Sequence, residues 1–189
     1  METRTKSPVR EHYCLFDTAI GACGVAWSEH GLTRLRLPES DRGATEKRLK
    51  ARAAKACEAP PPGIDRLIAD VQSYMSGRCT DFSSVVLDLT GVDAFERQVY
   101  AAARRIPWGR TTSYGELARQ IEAPEAARAV GRALSCNPVP IIVPCHRILA
   151  KGHRIGGFSA PGGAFTKQNL LALEGVRIEA GTPLLPGFV

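Results

Sequence analysis

The run Asn137-Pro-Val-Pro-Ile-Ile-Val-Pro-Cys-His-Arg147 decides how this chain is read. Prolines at 138, 140 and 144 remove backbone donors and fix φ, which excludes a helix, while Val139, Ile141, Ile142 and Val143 suit a buried extended segment. The expectation is an apolar rod that delivers Cys145 to one fixed place. Next to it stand His146 and Arg147, and neighbouring positive charge favours the thiolate, the reactive form of cysteine. In an extended segment successive side chains point apart, so His146 can serve Cys145 only if the chain turns there or a water bridges them. On the dipeptide alone, a buried cysteine beside a solvated histidine is the commoner arrangement.

Upstream of this run, Asp93-Ala-Phe-Glu96 is a capping box that opens a helix to about Arg105, with Phe95, Val99, Ala102, Ala103 and Ile106 inward and Pro107-Trp-Gly109 as its stop. Ser113-Tyr-Gly-Glu116 opens a short helix to about Ile121, and Pro124 sits in the first turn of a third helix ending near Ser135. Two short helices with a tight break read as a helix-turn-helix. On the third helix Val130, Ala133 and Leu134 share the core face. Arg128, Gly131, Arg132 and Ser135 share the other, a surface of cations and small residues that could press against a phosphate-lined groove, although any solvated helix can look the same. Downstream, Lys151-Gly-His-Arg154 is a polar turn and Gly156-Gly-Phe-Ser-Ala-Pro-Gly-Gly163 a loop whose backbone can approach a ligand closely. A last helix, about Phe165 to Glu174, offers Leu170, Leu171 and Leu173 to the core and ends at Gly175. The tail from Val176 is expected to be loosely ordered.

The N-terminal part reads differently. Tyr13 to Thr18, Ala22 to Trp27 and Leu32 to Leu37 are short apolar or β-branched runs separated by turns, a β meander. Thr45 to Cys57 carries helix formers and a run of cations, which is most simply a solvated helix face. Ile64 to Ser76 places Ile64, Leu67, Ile68, Val71 and Met75 on one helical face, capped by Gly77, and Val85 to Leu89 looks like one more strand. Two domains are expected, a small α/β unit over 1–91 and a mostly helical unit over 92–189.

A chain of 189 residues with 25 Lys+Arg against 19 Asp+Glu, net +6, suits an anionic partner such as nucleic acid without demanding one. There is no apolar run of about 18 residues and Met1 to Arg10 is polar, so no membrane span or secretory signal is expected. Six cysteines (14, 23, 57, 79, 136, 145) show no Cys-x-x-Cys pair, which points to free thiols in a reducing compartment. His12, Cys14, Cys23 and His30 fit no usual zinc spacing, and no metal is expected. A phosphate-binding glycine loop and a dinucleotide fingerprint are both missing, so no nucleotide cofactor is expected.

Taken whole, Asn-Pro-Val-Pro followed by Pro-Cys-His-Arg resembles the active-site signature of the O6-alkylguanine-DNA alkyltransferases, the methylated-DNA–protein-cysteine methyltransferases. The likeness runs strongly from Phe95 to Gly175 and loosely through the N-terminal part. It implies a ribonuclease-H-like N-terminal domain and a C-terminal domain with a winged helix-turn-helix. It also implies duplex DNA containing O6-alkylguanine as partner, with O4-alkylthymine a further candidate, and a cytoplasmic monomer, nuclear if the source is eukaryotic. Some eukaryotic relatives hold zinc near the N-terminus, where this sequence has other residue types such as Ser28 and Thr33.

The reaction so implied is an SN2 attack on a saturated carbon bound to O6, which asks for a soft, strong nucleophile and a proton for the departing base; Cys145 thiolate fits. The thioether product has no carbonyl for water to attack, so one molecule repairs one base and no cofactor is needed. The nucleotide must be flipped out of the stack to reach a buried thiol. By the resemblance, His146 acts through water and Glu174 orients it. Arg128 fills the gap in the stack, Tyr114 turns the target phosphate and contacts the base, and Asn137 is a hinge. Ile148, Phe158 and Ser159 form the base pocket, while Ala160 and two extra residues before the final helix depart from the pattern and bear on alkyl size. Competing readings are an alkyltransferase-like protein that only binds lesions, a cysteine hydrolase using Cys145 and His146, and a transcription factor using the helix-turn-helix alone.

Overall fold

Short runs rich in apolar residues form the first three strands of the computed structural model, which describes residues 11–50 and 55–178. β1 (His12–Thr18), β2 (Gly21–Ser28) and β3 (Gly31–Arg36) pair antiparallel in chain order. The turn into β3 requires glycine at 31: its φ is +138°, and a Cβ there would lie 2.7 Å from the Val86 carbonyl oxygen. β4 (Lys55–Ala56) joins β1 in parallel, giving the order β3-β2-β1-β4. The sheet is covered on both faces, so β2 is buried almost throughout. α1 (Arg42–Lys50) packs Leu49 against Tyr13 and Ala26 on one face, and α2 (Pro62–Met75) supplies Leu67, Val71, Tyr74 and Met75 to the main core.

Two N-terminal expectations are corrected. The helix expected over Thr45 to Cys57 is shorter and begins earlier, because Lys55 and Ala56 are drawn into the sheet edge by β1; residues 51–54 lie outside the described residues. Val85 to Leu89 is not a strand. It makes a single bridge at Leu87 to Leu32, with Leu32 N–H donating to Val86 O and Asp88 N–H donating to Leu32 O, both at 2.9 Å. The N-terminal segment Met1 to Arg10 and the tail beyond Ile178 also lie outside the described residues.

The helical part follows its caps. α3 (Ala94–Arg104) starts where the Asp93 carboxylate accepts from Glu96 N–H at 2.9 Å, and α4 (Tyr114–Gln120) where Ser113 Oγ accepts from Glu116 N–H at 3.1 Å. A 3-10 turn, Pro124–Ala126, leads into α5 (Ala127–Ser135). Val130, Ala133 and Leu134 of α5 are buried while Arg128, Arg132 and Ser135 are exposed, the division its spacing required. β5 (Thr112–Ser113) and β6 (Ile148–Leu149) form a short parallel pair, and α6 (Gly163–Leu173) closes the unit.

The stretch 137–147 is not a rod. Val143 N–H donates to Val139 O at 2.9 Å, Ile141 takes a left-handed φ of +75°, and Cys145–Arg147 is a 3-10 turn. The prolines exclude a long helix, as expected, yet they leave room for two tight turns. Leu35 of β3 donates its N–H to Pro138 O at 3.0 Å, so the sheet is stitched directly to this segment, and one apolar core runs from the strands through α3, α4 and α5 to α6.

Candidate active site

Asn137, just beyond the C-terminus of α5, holds the turn that carries the sulfur. Its Nδ2 donates to Val143 O at 2.8 Å and to Cys145 Sγ at 3.2 Å, and its Oδ1 accepts from Val139 N–H at 3.0 Å. Cys145 is 6% exposed. Because residues 145–147 turn, His146 leaves the Cys145 side of the chain and enters the core with Arg147.

There Glu174, at the C-terminal cap of α6, gathers them. Glu174 Oε1 stands 2.8 Å from His146 Nε2, and Arg147 grips the carboxylate through Nε and Nη2 at 2.9–3.1 Å. Gly109 N–H donates to Oε2 at 3.2 Å, and glycine is favoured at 109, where φ is +69° and a Cβ would press on Glu174 O at 3.1 Å. The fourth partner is Tyr74 of α2, whose hydroxyl donates to Glu174 Oε1 at 2.7 Å and lies 3.1 Å from His146 Nε2. His146 Nδ1 is buried and has no hydrogen-bond partner among the described residues.

Electrostatics sort these groups. Burial works against the Glu174 charge, but the bonds from His146, Arg147 and Tyr74 override it and bring its pKa down to about 2, so it is an acceptor only. Burial holds the His146 pKa below its ordinary 6.5, leaving a neutral ring near pH 7. Burial pushes the Cys145 thiol up, opposed by the Asn137 hydrogen bond and the Lys167 charge. The resting group is therefore a thiol, contrary to the sequence expectation of a thiolate made by adjacent charge: Arg147 is turned to Glu174 rather than to sulfur.

Lys167 of α6 was missed by sequence reasoning. It is fully buried, donates from Nζ to Ile148 O at 2.5 Å, and lies 5.7 Å from the centre of the Tyr114 ring. Burial brings its pKa to about 8. Tyr74 was missed as well.

Two cavities meet at Cys145. One, of about 390 Å³, is lined by Tyr114, Gly131, Ser135, Gly156, Phe158 and Ser159; the other, of about 140 Å³ on the sheet side, by Arg36, Asn137, Pro140, Phe158, Ser159 and Ala160. Of the expected pocket residues, Phe158 and Ser159 line both, while Ile148 lines neither and is buried in β6 behind them. All six cysteines are free, and among the described residues no three His, Cys, Asp or Glu side chains converge to hold a metal.

Comparison with known proteins gives this geometry a context. The family profile "6-O-methylguanine DNA methyltransferase, DNA binding domain" matches residues 94–176. The methylated-DNA–protein-cysteine methyltransferase of Mycobacterium tuberculosis is 38% identical over 92% of this chain and 98% of its own length. The chain belongs to this family. A second methyltransferase of the family, from Methanothermobacter thermautotrophicus, is 32% identical over 82% of the chain and 81% of its own length. A crystal structure of Mycobacterium tuberculosis OGT in complex with DNA superposes with a TM-score of 0.70 at 38% identity, covering 86% of this chain and 92% of that one.

In this methyltransferase the exposed face of α5 borders the larger cavity. Gly131 and Ser135 line its mouth, and a Cβ at 131 would stand 3.9 Å from the Tyr114 ring, so the helix backbone lies close to that phenol. Arg128 and Arg132 are exposed beside it on the same helix and line neither cavity meeting at Cys145. Among the described residues no helix is long and apolar enough to cross a membrane.

Proposed function

We propose that this chain is a DNA repair protein that takes the alkyl group from O6 of a guanine flipped out of duplex DNA and keeps it on Cys145, one group per molecule. The observation that carries this is the position of one sulfur: Cys145 sits where two cavities meet, tethered by Asn137, one residue from an imidazole whose Nδ1 has no hydrogen-bond partner among the described residues.

The chemistry balances as written. The thiol proton passes to His146 Nδ1 through a bridging water, and Glu174 stabilises the imidazolium that results. Sulfur bonds to the alkyl carbon as the carbon–O6 bond breaks, its electron pair leaves on the base, and one proton taken up by the base restores guanine. The C–S bond that remains is stable, so no cofactor enters and no turnover follows. Arg128 would fill the gap in the stack and Arg132, Gly131 and Ser135 would face the backbone. Tyr114 would turn the target phosphate and contact the base, while Phe158 and Ser159 wall the pocket. Ile148 would back the pocket from β6, its carbonyl accepting from Lys167. The sheet-side cavity gives the substituent space.

On the same reading residues 1–91 and 92–189 are two domains. The sheet order β3-β2-β1-β4 with a parallel last strand supports a ribonuclease-H-like assignment for the first. The α4–α5 pair, with a small hairpin closed by Ala150 N–H to Arg154 O at 2.9 Å, supports a winged helix-turn-helix for the second. A monomer in the cytoplasm, or in the nucleus of a eukaryotic source, completes the proposal.

The test is intact mass after mixing with a duplex carrying O6-methylguanine. The expected result is one methyl added per molecule at Cys145 and none in Cys145→Ala. Tight binding without any adduct would favour a lesion-binding protein instead, and repeated turnover of an ester would favour a hydrolase.

A further inference from the structure

Tyr74 belongs to α2, on the sheet-forming part of the chain, where nothing in the sequence suggested chemistry. Its hydroxyl nevertheless reaches the centre of the His146–Glu174 pair. A phenol has one proton to give, and Glu174, ionised and acceptor-only, lies 2.7 Å away, so that proton points to Oε1. The phenolic oxygen therefore presents only lone pairs to His146 Nε2 at 3.1 Å, and Glu174 Oε1 presents only lone pairs at 2.8 Å. Two acceptors converge on one ring nitrogen. In a neutral imidazole the hydrogen then belongs on Nε2, and Nδ1 keeps its lone pair.

We infer that Tyr74 is a positioning residue for alkyl transfer, holding the His146 ring in the Nε2–H tautomer with Nδ1 free to take the thiol proton. The inference rests on the transfer reaction proposed above and adds that the α/β part of the chain completes the reaction centre. Tyr74 is suited to this by rigidity. It is fully buried, its ring meets Trp108 edge-on at 5.2 Å between centroids and Phe82 at 5.8 Å, and its surroundings keep the phenol protonated. The charged and titratable groups that act on His146 are Glu174, Arg147 and Lys167, with the neutral hydroxyl of Tyr74 bonded to Nε2.

The experiment uses the full chain as wild type, Tyr74→Phe, His146→Ala and the double variant, with single-turnover methyl transfer followed across pH and thermal melting run alongside. Tyr74→Phe keeps the packing and removes the hydroxyl, and is expected to slow transfer about tenfold and to change its pH profile. In the His146→Ala background the same change is expected to alter the rate by less than about twofold, because the ring it positions is gone. Equal slowing in both backgrounds, or a wild-type rate and profile in Tyr74→Phe, overturns the inference. Nitrogen NMR of the wild-type imidazole serves if the variant folds poorly: hydrogen on Nε2 is expected, and hydrogen on Nδ1 overturns it. Should the wild type itself acquire no methyl group, the transfer reading fails instead.

Discussion

A lysine as buried as a core leucine calls for neighbours that justify it, and Lys167 has them in the Ile148 carbonyl, the Tyr114 face and the nearby sulfur. Its charge favours the thiolate and is lost as pH rises through about 8. The transfer rate should therefore climb with pH as the thiol ionises and bend downward near pH 8. In Lys167→Met the reaction should be slower at neutral pH and the bend should vanish, which single-turnover rates across pH will read. None of this was legible beforehand, since a lysine near the start of a terminal helix looks solvated. Tyr74 was hidden for the opposite reason, being one more large residue in an amphipathic helix. Cys145 was legible as a candidate from its motif, whereas the roles expected of Asn137 and Tyr114 and the pairing of Glu174 with His146 came through resemblance alone, because only the folded chain brings these residues together.

α5 presents its exposed cations on a helix whose other face is fully occupied by Val130, Ala133 and Leu134. An exposed arginine that neutralises one phosphate releases about one counterion, so Arg132→Ala should reduce the slope of log affinity against log salt by about one and weaken binding to damaged and undamaged duplexes alike. Fluorescence titration at several salt concentrations checks this; an unchanged slope would remove Arg132 from the interface. Helices of this part were legible because their starts are written locally, in Asp93 to Glu96 and Ser113 to Glu116. The segments misread were those where partners overrule local preference. Lys55 and Ala56 follow β1 rather than α1, and Leu87 pairs with Leu32 for one bridge only. Proline and β-branched residues in 137–147 suggested extension, but Asn137 supplies three bonds that fold the segment back on itself.

The buried ionic knot gives the molecule as a whole a characteristic response to acid. Glu174 has a pKa of about 2 against an ordinary 4.5, so its contribution is complete above pH 4.5 and is lost as pH falls through about 2. His146, held below 6.5, works in the same direction, since the folded state resists taking the proton that the unfolded chain accepts. Urea midpoints should therefore fall steadily below pH 6.5 and more steeply below 4.5. Glu174→Gln, which strands the Arg147 charge, should be less stable at neutral pH by about 3–5 kcal/mol and show a shallower loss in acid. The same knot ties positions 74, 146 and 174, separated along the chain by up to 100 residues. The His146–Glu174 pair closes a separation of 28 residues and the Tyr74–Glu174 bond one of 100, so the knot forms only when the last helix docks. The surroundings of the sulfur are shared between distant parts of the chain: Asn137 grips it locally, while the imidazole beside it is set only once α2 and α6 are both in place.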